Sequence, residues 1–287
     1  MNGIVVIDKP AGVTSHDVVG MVRKRFATRR VGHTGTLDPL ATGVLVMCVG
    51  NATKAADMIA NADKRYRAGL ELGICTDTLD TEGTVTEQRA VNVTEADVRE
   101  CILSFIGEQD QIPPMYSAIK QNGKKLYELA REGKEIEREK RRINIYSIDI
   151  IDISLPYVTI DVHCSKGTYI RSLCDDIGRR LGCGAVMTAL RRTGSAGFTT
   201  DDAYTIAELD ELSDISSALM PTDSLFSGLD EIHLNARQEK SITNGVRMTW
   251  RDGKEGQRYR VYAADGRFLC VSELSDMKLK LIKQFWS

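Results

Sequence analysis

The apolar positions of this chain fall into unbroken, alternating and helically spaced runs, and each kind predicts an element. Ile4 to Asp8 and Val44 to Val49 are nearly continuous apolar stretches of strand length, the pattern of strands buried on both faces. Tyr66 to Leu72 sets Tyr66, Ala68, Leu70 and Leu72 against Arg67, Gly69 and Glu71, which predicts a half-buried strand. Ile143 to Ile153 and Val158 to Cys164 alternate in the same way and read as a pair. Helical spacing begins after Ser15, read as an N-cap, with Val18, Val19, Val22 and Phe26 on one face. Thr94 with Asp97 forms a capping-box pattern ahead of Val98, Ile102, Phe105 and Ile106, and Thr205 with Glu208 forms a second. Thr168 to Leu181 reads as a further helix. Past residue 230 the pattern changes: Tyr259 to Ala263 and Phe268 to Val271 are strand-like and meet across Asp265-Gly266, a hairpin signal. Strands and helices are interspersed without a regular βαβ period, so the expected class is α+β, with a main domain over 1–229 and a small β-rich module over 230–287.

Composition narrows the picture. At 287 residues and 42% hydrophobic content, the chain can bury one large core or one core plus a small module. No run reaches the ~18 apolar residues of a membrane span, and the start lacks a basic segment followed by an apolar one, so no secretory leader is expected. The seven cysteines are odd in number and contain no Cys-x-x-Cys pair. Reduced thiols in a cytoplasmic protein are therefore expected. The four histidines, His16, His33, His163 and His233, have no ligand spacing, so no metal is expected.

Net charge is only −2, which argues against a nucleic-acid partner. Its distribution reverses that. Nine acidic residues and no basic ones lie between 201 and 231, leaving +7 for the remainder. Basic residues bunch at Arg23, Lys24, Arg25, Arg29 and Arg30, and again from Lys120 to Arg142, where nine basic residues meet five acidic ones. Bunching of this kind suits a phosphate-facing surface, and equally a set of solvated helix faces.

The densest chemistry lies in Gly32-His-Thr-Gly-Thr-Leu-Asp-Pro-Leu-Ala-Thr-Gly-Val-Leu45, a tight loop feeding a core strand. Pro39 drives Asp38 towards an extended backbone and so onto an ordered loop beside the sheet. Taken alone, Asp before Pro is an ordinary turn-former.

The whole loop resembles the signature of the TruB-type tRNA pseudouridine synthases, in which this aspartate is the catalytic residue. Further segments are similar to the same family in the same order: Lys9-Pro10-Ala11-Gly12-Val13-Thr14-Ser15, Lys64-Arg65-Tyr66, Gln111 to Ala118, Gly167 to Leu173, and Leu190-Arg191-Arg192-Thr193-Gly194. The resemblance covers residues 3 to 200. The resemblance implies a pseudouridine synthase fold, with a mixed, largely antiparallel central sheet flanked by helices and loops, and a PUA-like RNA-binding module at the C-terminus. It implies isomerisation of the uridine at position 55 in the T loop of tRNA, after that base is flipped into a pocket. In this role Asp38 attacks or stabilises the sugar or ring carbon. Arg171 is its counter-ion, and Tyr66 stacks on the base and is a candidate for moving a proton. Tyr169 would contact the base, Leu190 would wall it, His33 would wedge into the vacated space, and Lys9 would buttress the loop or meet a phosphate. Gln111 to Arg142 would be an RNA-gripping insertion that is mobile until RNA orders it. No cofactor, membrane or obligate protein partner is implied, and nothing calls for more than a monomer.

Two other readings fit parts of the same pattern: a tRNA-binding or folding protein without activity, and a guide-RNA-dependent ribosomal RNA synthase. The presence of His33, Asp38, Tyr66 and Arg171 together speaks against the first. A chain starting almost at the Lys-Pro motif speaks against the second.

Overall fold

Both faces of the two continuous apolar stretches are covered, which is why neither alternates. The computed structural model describes residues 1–121 and 123–286. In it Gly3–Lys9 pairs antiparallel with Thr42–Val49. Ile4, Val6, Val44 and Val46 pack into one core, and Val5, Ile7, Leu45 and Met47 into another on the opposite face.

These two strands sit near one edge of a ten-stranded sheet. Its path runs Ala203–Tyr204, Gly3–Lys9, Thr42–Val49, Ala185–Ser195, Lys64–Leu72, Tyr157–Cys164, Arg141–Ser154 and Gly107–Gln111. Val31–His33 adds to Thr42–Val49, and Phe198–Thr199 to Ala185–Ser195. Ala203–Tyr204 joins Gly3–Lys9 in parallel, as does Ala185–Ser195 with Thr42–Val49, and the other pairings described are antiparallel. The sheet is thus mixed and largely antiparallel, in an α+β chain.

Lys64–Leu72 shows the period-two burial its sequence foretells, with Tyr66, Ala68, Leu70 and Leu72 buried. That face is covered by Ile170–Leu181, through Ile170, Leu173, Cys174 and Ile177, and by Glu95–Leu103 through Val98 and Ile102. The opposite face is polar and carries the Arg67–Asp161 ion pair at 2.7 Å.

Two helix starts differ from expectation. Ser15–Arg25 is capped by Thr14, whose hydroxyl and backbone exchange bonds with Asp17 in a capping box. Ser15 has no acidic residue three positions on, so it lies inside the helix; its hydroxyl instead donates to the Leu37 carbonyl at 3.0 Å and accepts from the Leu37 N–H at 2.8 Å. The helix expected from Thr168 begins at Ile170, because Thr168 and Tyr169 belong to the loop, and it ends where Gly182 turns left-handed (φ 79°). The capping boxes at Thr94 and Thr205 are present as expected.

A separate five-stranded sheet follows, in the order Asp230–His233, Arg258–Tyr262, Phe268–Ser275, Lys278–Gln284 and Met248–Thr249. It does not stand apart. Val271 and Phe285 share a core with Ile4, Val44, Leu225 and Phe226. Among the described residues no helix is long and apolar enough to cross a membrane.

Candidate active site

Three buried side chains fasten the loop between the Val31–His33 and Thr42–Val49 strands. Ser15 grips both backbone groups of Leu37. The Lys9 ammonium, fully buried, donates to the carbonyls of Val13 (2.6 Å), Pro10 (2.9 Å) and Pro39 (3.3 Å). Arg192 donates to the Gly35 carbonyl at 3.1 Å and to Thr36 at 3.4 Å. Lys9 is therefore a buttress; it has no open surface with which to meet a phosphate, the other role expected of it.

Held in this way, the loop presents Asp38 with its side chain 43% exposed, and the Arg171 guanidinium meets it at 2.8 Å. Arg171 comes from the first turn of Ile170–Leu181 and is itself buried. Its other end lies 3.3 Å from Asp80, a buried carboxylate, and it donates to the carbonyls of Tyr116 (2.7 Å) and Thr78 (3.1 Å). Asp80 is in turn fixed by the Thr78 hydroxyl at 2.6 Å and the Glu82 N–H at 3.2 Å. A guanidinium gripped from behind by one carboxylate can hold a second in a single orientation.

Nothing in the sequence singles out Asp80. It sits in Thr76-Asp77-Thr78-Leu79-Asp80-Thr81-Glu82-Gly83, a run rich in the turn-forming types Thr, Asp and Gly, in which Leu79 has φ 65°. Only the buried pairing with Arg171 separates Asp80 from Asp77. Arg192 and Lys64 belong to motifs that assign them no task; both prove buried beside the loop.

Asp38 and Arg171 open onto a cavity of about 290 Å³, walled also by Tyr66, Tyr169, Leu190, Lys64 and Arg192. Its walls are drawn from residue 35 to residue 192, from strands, a helix and the loops between them. Burial pushes the Tyr66 phenol upward in pKa, against a smaller opposing pull from Arg192, so it stays protonated at neutral pH. Burial also raises Tyr169. A larger cavity of about 490 Å³ is lined by Tyr116, Asp175, Asp176 and Arg138 and does not reach Asp38.

His33 does not line the cavity. It is half-buried next to it, and burial, reinforced by Arg192 and His16 against a smaller opposing hydrogen bond with the Gly35 backbone, lowers its pKa so that the ring is neutral at pH 7. Among the described residues no cluster could hold a metal ion.

The stretch after Gln111 is tied directly to this site. Gln111 exchanges two hydrogen bonds with the Tyr169 backbone (2.8 and 3.0 Å), Ser172 donates to the Ile112 carbonyl (2.9 Å), and Arg171 holds Tyr116. Beyond it come the short pairing of Lys120–Gln121 with Lys124–Lys125 and the helix Leu126–Arg131.

Comparison with known proteins agrees with this architecture. Residues 23–170 match the model of the TruB family pseudouridylate synthase N-terminal domain, and residues 171–227 match a tRNA pseudouridylate synthase B C-terminal domain. A tRNA pseudouridine synthase B from Clostridium kluyveri is 47% identical over 99% of this chain and 100% of its own length. One from Alkaliphilus oremlandii is 52% identical over 86% of this chain and 83% of its own. One from Actinobacillus pleuropneumoniae is 42% identical over 96% and 92%. Among solved structures, a chain of a Cbf5–Nop10–Gar1 complex superposes with a TM-score of 0.76 at 25% identity, covering 99% of this chain and 85% of that one. A chain from an H/ACA ribonucleoprotein bound to a substrate RNA gives 0.75 at 22%, with the same coverage, and shares the fold. With two family models meeting end to end and relatives this similar over almost its whole length, the chain belongs to the TruB family of pseudouridylate synthases.

Proposed function

We propose that this chain isomerises a uridine of tRNA to pseudouridine, and that the target is position 55 in the T loop. The observation that carries this is the Asp38–Arg171 ion pair of 2.8 Å at the mouth of a cavity walled by Tyr66, Tyr169 and Leu190. Pseudouridine has a C–C glycosidic bond where uridine has C–N, so the base must be released, turned and rejoined through C5. Asp38 supplies the carboxylate for that exchange, held in one orientation by Arg171. Tyr66 stacks on the flipped base; its protonated phenol is poorly suited to act as a base. Tyr169 and Leu190 complete the walls, and the neutral His33 fills the space the base vacates. Lys9 acts through the loop rather than on the RNA.

The RNA grip is assigned to residues 111–142, whose basic bunch is solvent-facing at Lys124 and Lys134, and to the module over 230–287, supported by its separate sheet. The remainder, 1–229, is the catalytic unit, acting as a cytoplasmic monomer. The relatives named as tRNA enzymes favour a stand-alone synthase over a guide-dependent one.

A T-stem-loop transcript, with no other RNA or protein, tests this. Wild type forms pseudouridine at the position equivalent to 55, and Asp38→Asn forms none while still binding the transcript. A variant that keeps making product removes Asp38 from the mechanism; a wild type that only binds makes the chain a binding protein.

A further inference from the structure

Among the described residues three cations are buried around the cavity with no carboxylate in direct contact. Arg192 is 1% exposed, and besides Gly35 and Thr36 its guanidinium donates to the Val44 carbonyl at 2.6 Å. Lys64 donates to the carbonyls of Ala60 (3.1 Å) and Ala62 (2.5 Å). Lys9 is held by carbonyls in the same way. Among the described residues none of the three forms an ion pair, whereas Arg171 has two, to Asp38 and Asp80. Within direct contact, four cations thus meet two carboxylates, Asp38 and Asp80, while Asp63 acts on Lys64 and Asp38 and Glu82 act on Lys9 from further off. Burial lowers the pKa of Lys64 and of Lys9, and the nearby Arg192 charge adds to the lowering of each.

Buried charges held only by dipoles are costly. Fastening a loop does not require them, since neutral donors such as Ser15 grip the same segment. Their sign matters if negative charge appears in the cavity during turnover, and the proposed reaction generates it. When the N1–C1′ bond breaks, its electron pair leaves with N1, so the detached uracil is an anion with charge spread over N1, O2 and O4. C1′ is left electron-poor beside the Asp38 carboxylate. The ring then turns, C5 gives an electron pair to C1′, and the C–C bond forms. The proton on C5 is lost and one is gained at N1, so composition is unchanged. Between cleavage and rejoining, the ring is negative and bound by no covalent bond.

The geometry points to Arg192 and Lys64 as the wall charges that hold this detached uracil anion, with Lys9 adding to the field from beneath the loop. The inference rests on the pseudouridine reading above. It places fixed positive charge, already desolvated, where negative charge develops, so little reorganisation is needed at the moment of cleavage.

The test separates charge from loop-fastening. Lys64→Gln keeps a donor for the carbonyls and removes the charge. Arg192→Lys keeps charge without the fork, and Arg192→Gln keeps neither. Each is assayed in single turnover on T-stem-loop transcripts carrying uridine or 5-fluorouridine at the target, reading loss of the N-glycosidic linkage after nuclease digestion. Fluorine withdraws electrons and stabilises the uracil anion, so cleavage then needs less help from the wall.

For Lys64→Gln we expect a rate about 10- to 100-fold lower on uridine and a clearly smaller deficit on 5-fluorouridine. RNA affinity should stay within about twofold, because a buried wall cation neutralises no backbone phosphate. Arg192→Lys should outpace Arg192→Gln. Equal deficits on the two substrates, the result of a merely misplaced loop, overturn the inference, as does Arg192→Lys performing no better than Arg192→Gln. Should the Arg192 variants fail to fold, the Lys64→Gln comparison decides alone. A wild type that cleaves neither substrate overturns the pseudouridine reading itself, an outcome distinct from equal deficits in an active enzyme.

Discussion

Asp80 and Lys9 never reach the cavity surface, yet each fixes a group that does. Asp80 is buried and is the second carboxylate on Arg171. Removing one partner of a buried pair leaves the other charge uncompensated, so Asp80→Ala should cost about 3–5 kcal/mol of stability in urea melts. Asp80→Asn, which keeps the shape, should cost less but slow turnover by loosening Arg171. Equal stability of Asp80→Ala and wild type would mean the pair does not hold the guanidinium. Lys9 gives a pH signature. Burial lowers its pKa from 10.5 to about 8, so between those values the unfolded chain binds the proton that the folded one has released. Stability should therefore rise with pH across about 8 to 10.5. Below about pH 8 both states hold the proton, and the penalty is constant. A Lys9→Met variant lacks this titration, so the wild type should gain on it in melts through the same window.

At the scale of elements, the critical junction is where Ala185–Ser195 runs parallel to Thr42–Val49, with Arg192 opposite Gly43. Gly43 has φ 97°, and a Cβ there would lie 2.2 Å from the Arg192 carbonyl oxygen. The glycine is thus required by close approach as well as by backbone conformation. Gly43→Ala should destabilise the fold by at least about 2 kcal/mol, combining left-handed strain with a displaced strand. It should also lower activity more than stability alone explains, because Arg192 anchors the loop carrying Asp38. Thermal melting and single-turnover rates on one sample check both. The sequence announces these strands clearly, through Val44 to Val49 and the alternation in Tyr66 to Leu72. It misplaces two helix starts by a residue or two, because Thr14, Ser15 and Thr168 are all plausible caps until one knows that Ser15 is needed by Leu37.

Across the whole molecule, the net charge of −2 hides a division of labour. Acidic residues from 201 to 231 lie away from the cavity, while basic ones cluster in the stretch that Arg171 and Gln111 tie to the site. Reversing Lys124 and Lys125 to Glu should weaken tRNA binding and flatten its dependence on salt. The slope of log K against log salt should fall by roughly one unit for each phosphate no longer neutralised. Unchanged affinity through a salt titration would remove these residues from the interface. The sequence by itself determined the α+β class and the strands, and the resemblance of its loop and motifs to the TruB family named Asp38, Tyr66, Tyr169, Arg171 and Leu190, which line one cavity. Periodicity and local motifs are properties of neighbours along the chain, so a single sequence carries them. Tertiary structure decided what depends on distant partners: that Asp80 grips Arg171 from behind, that Lys9 donates to the loop's carbonyls, and that Arg192 and Lys64 line the cavity with no direct ion pair among the described residues. A turn-forming aspartate and a motif arginine look the same in sequence whether solvated or buried. Only the packing of segments far apart along the chain removes the water and gives the charge its effect.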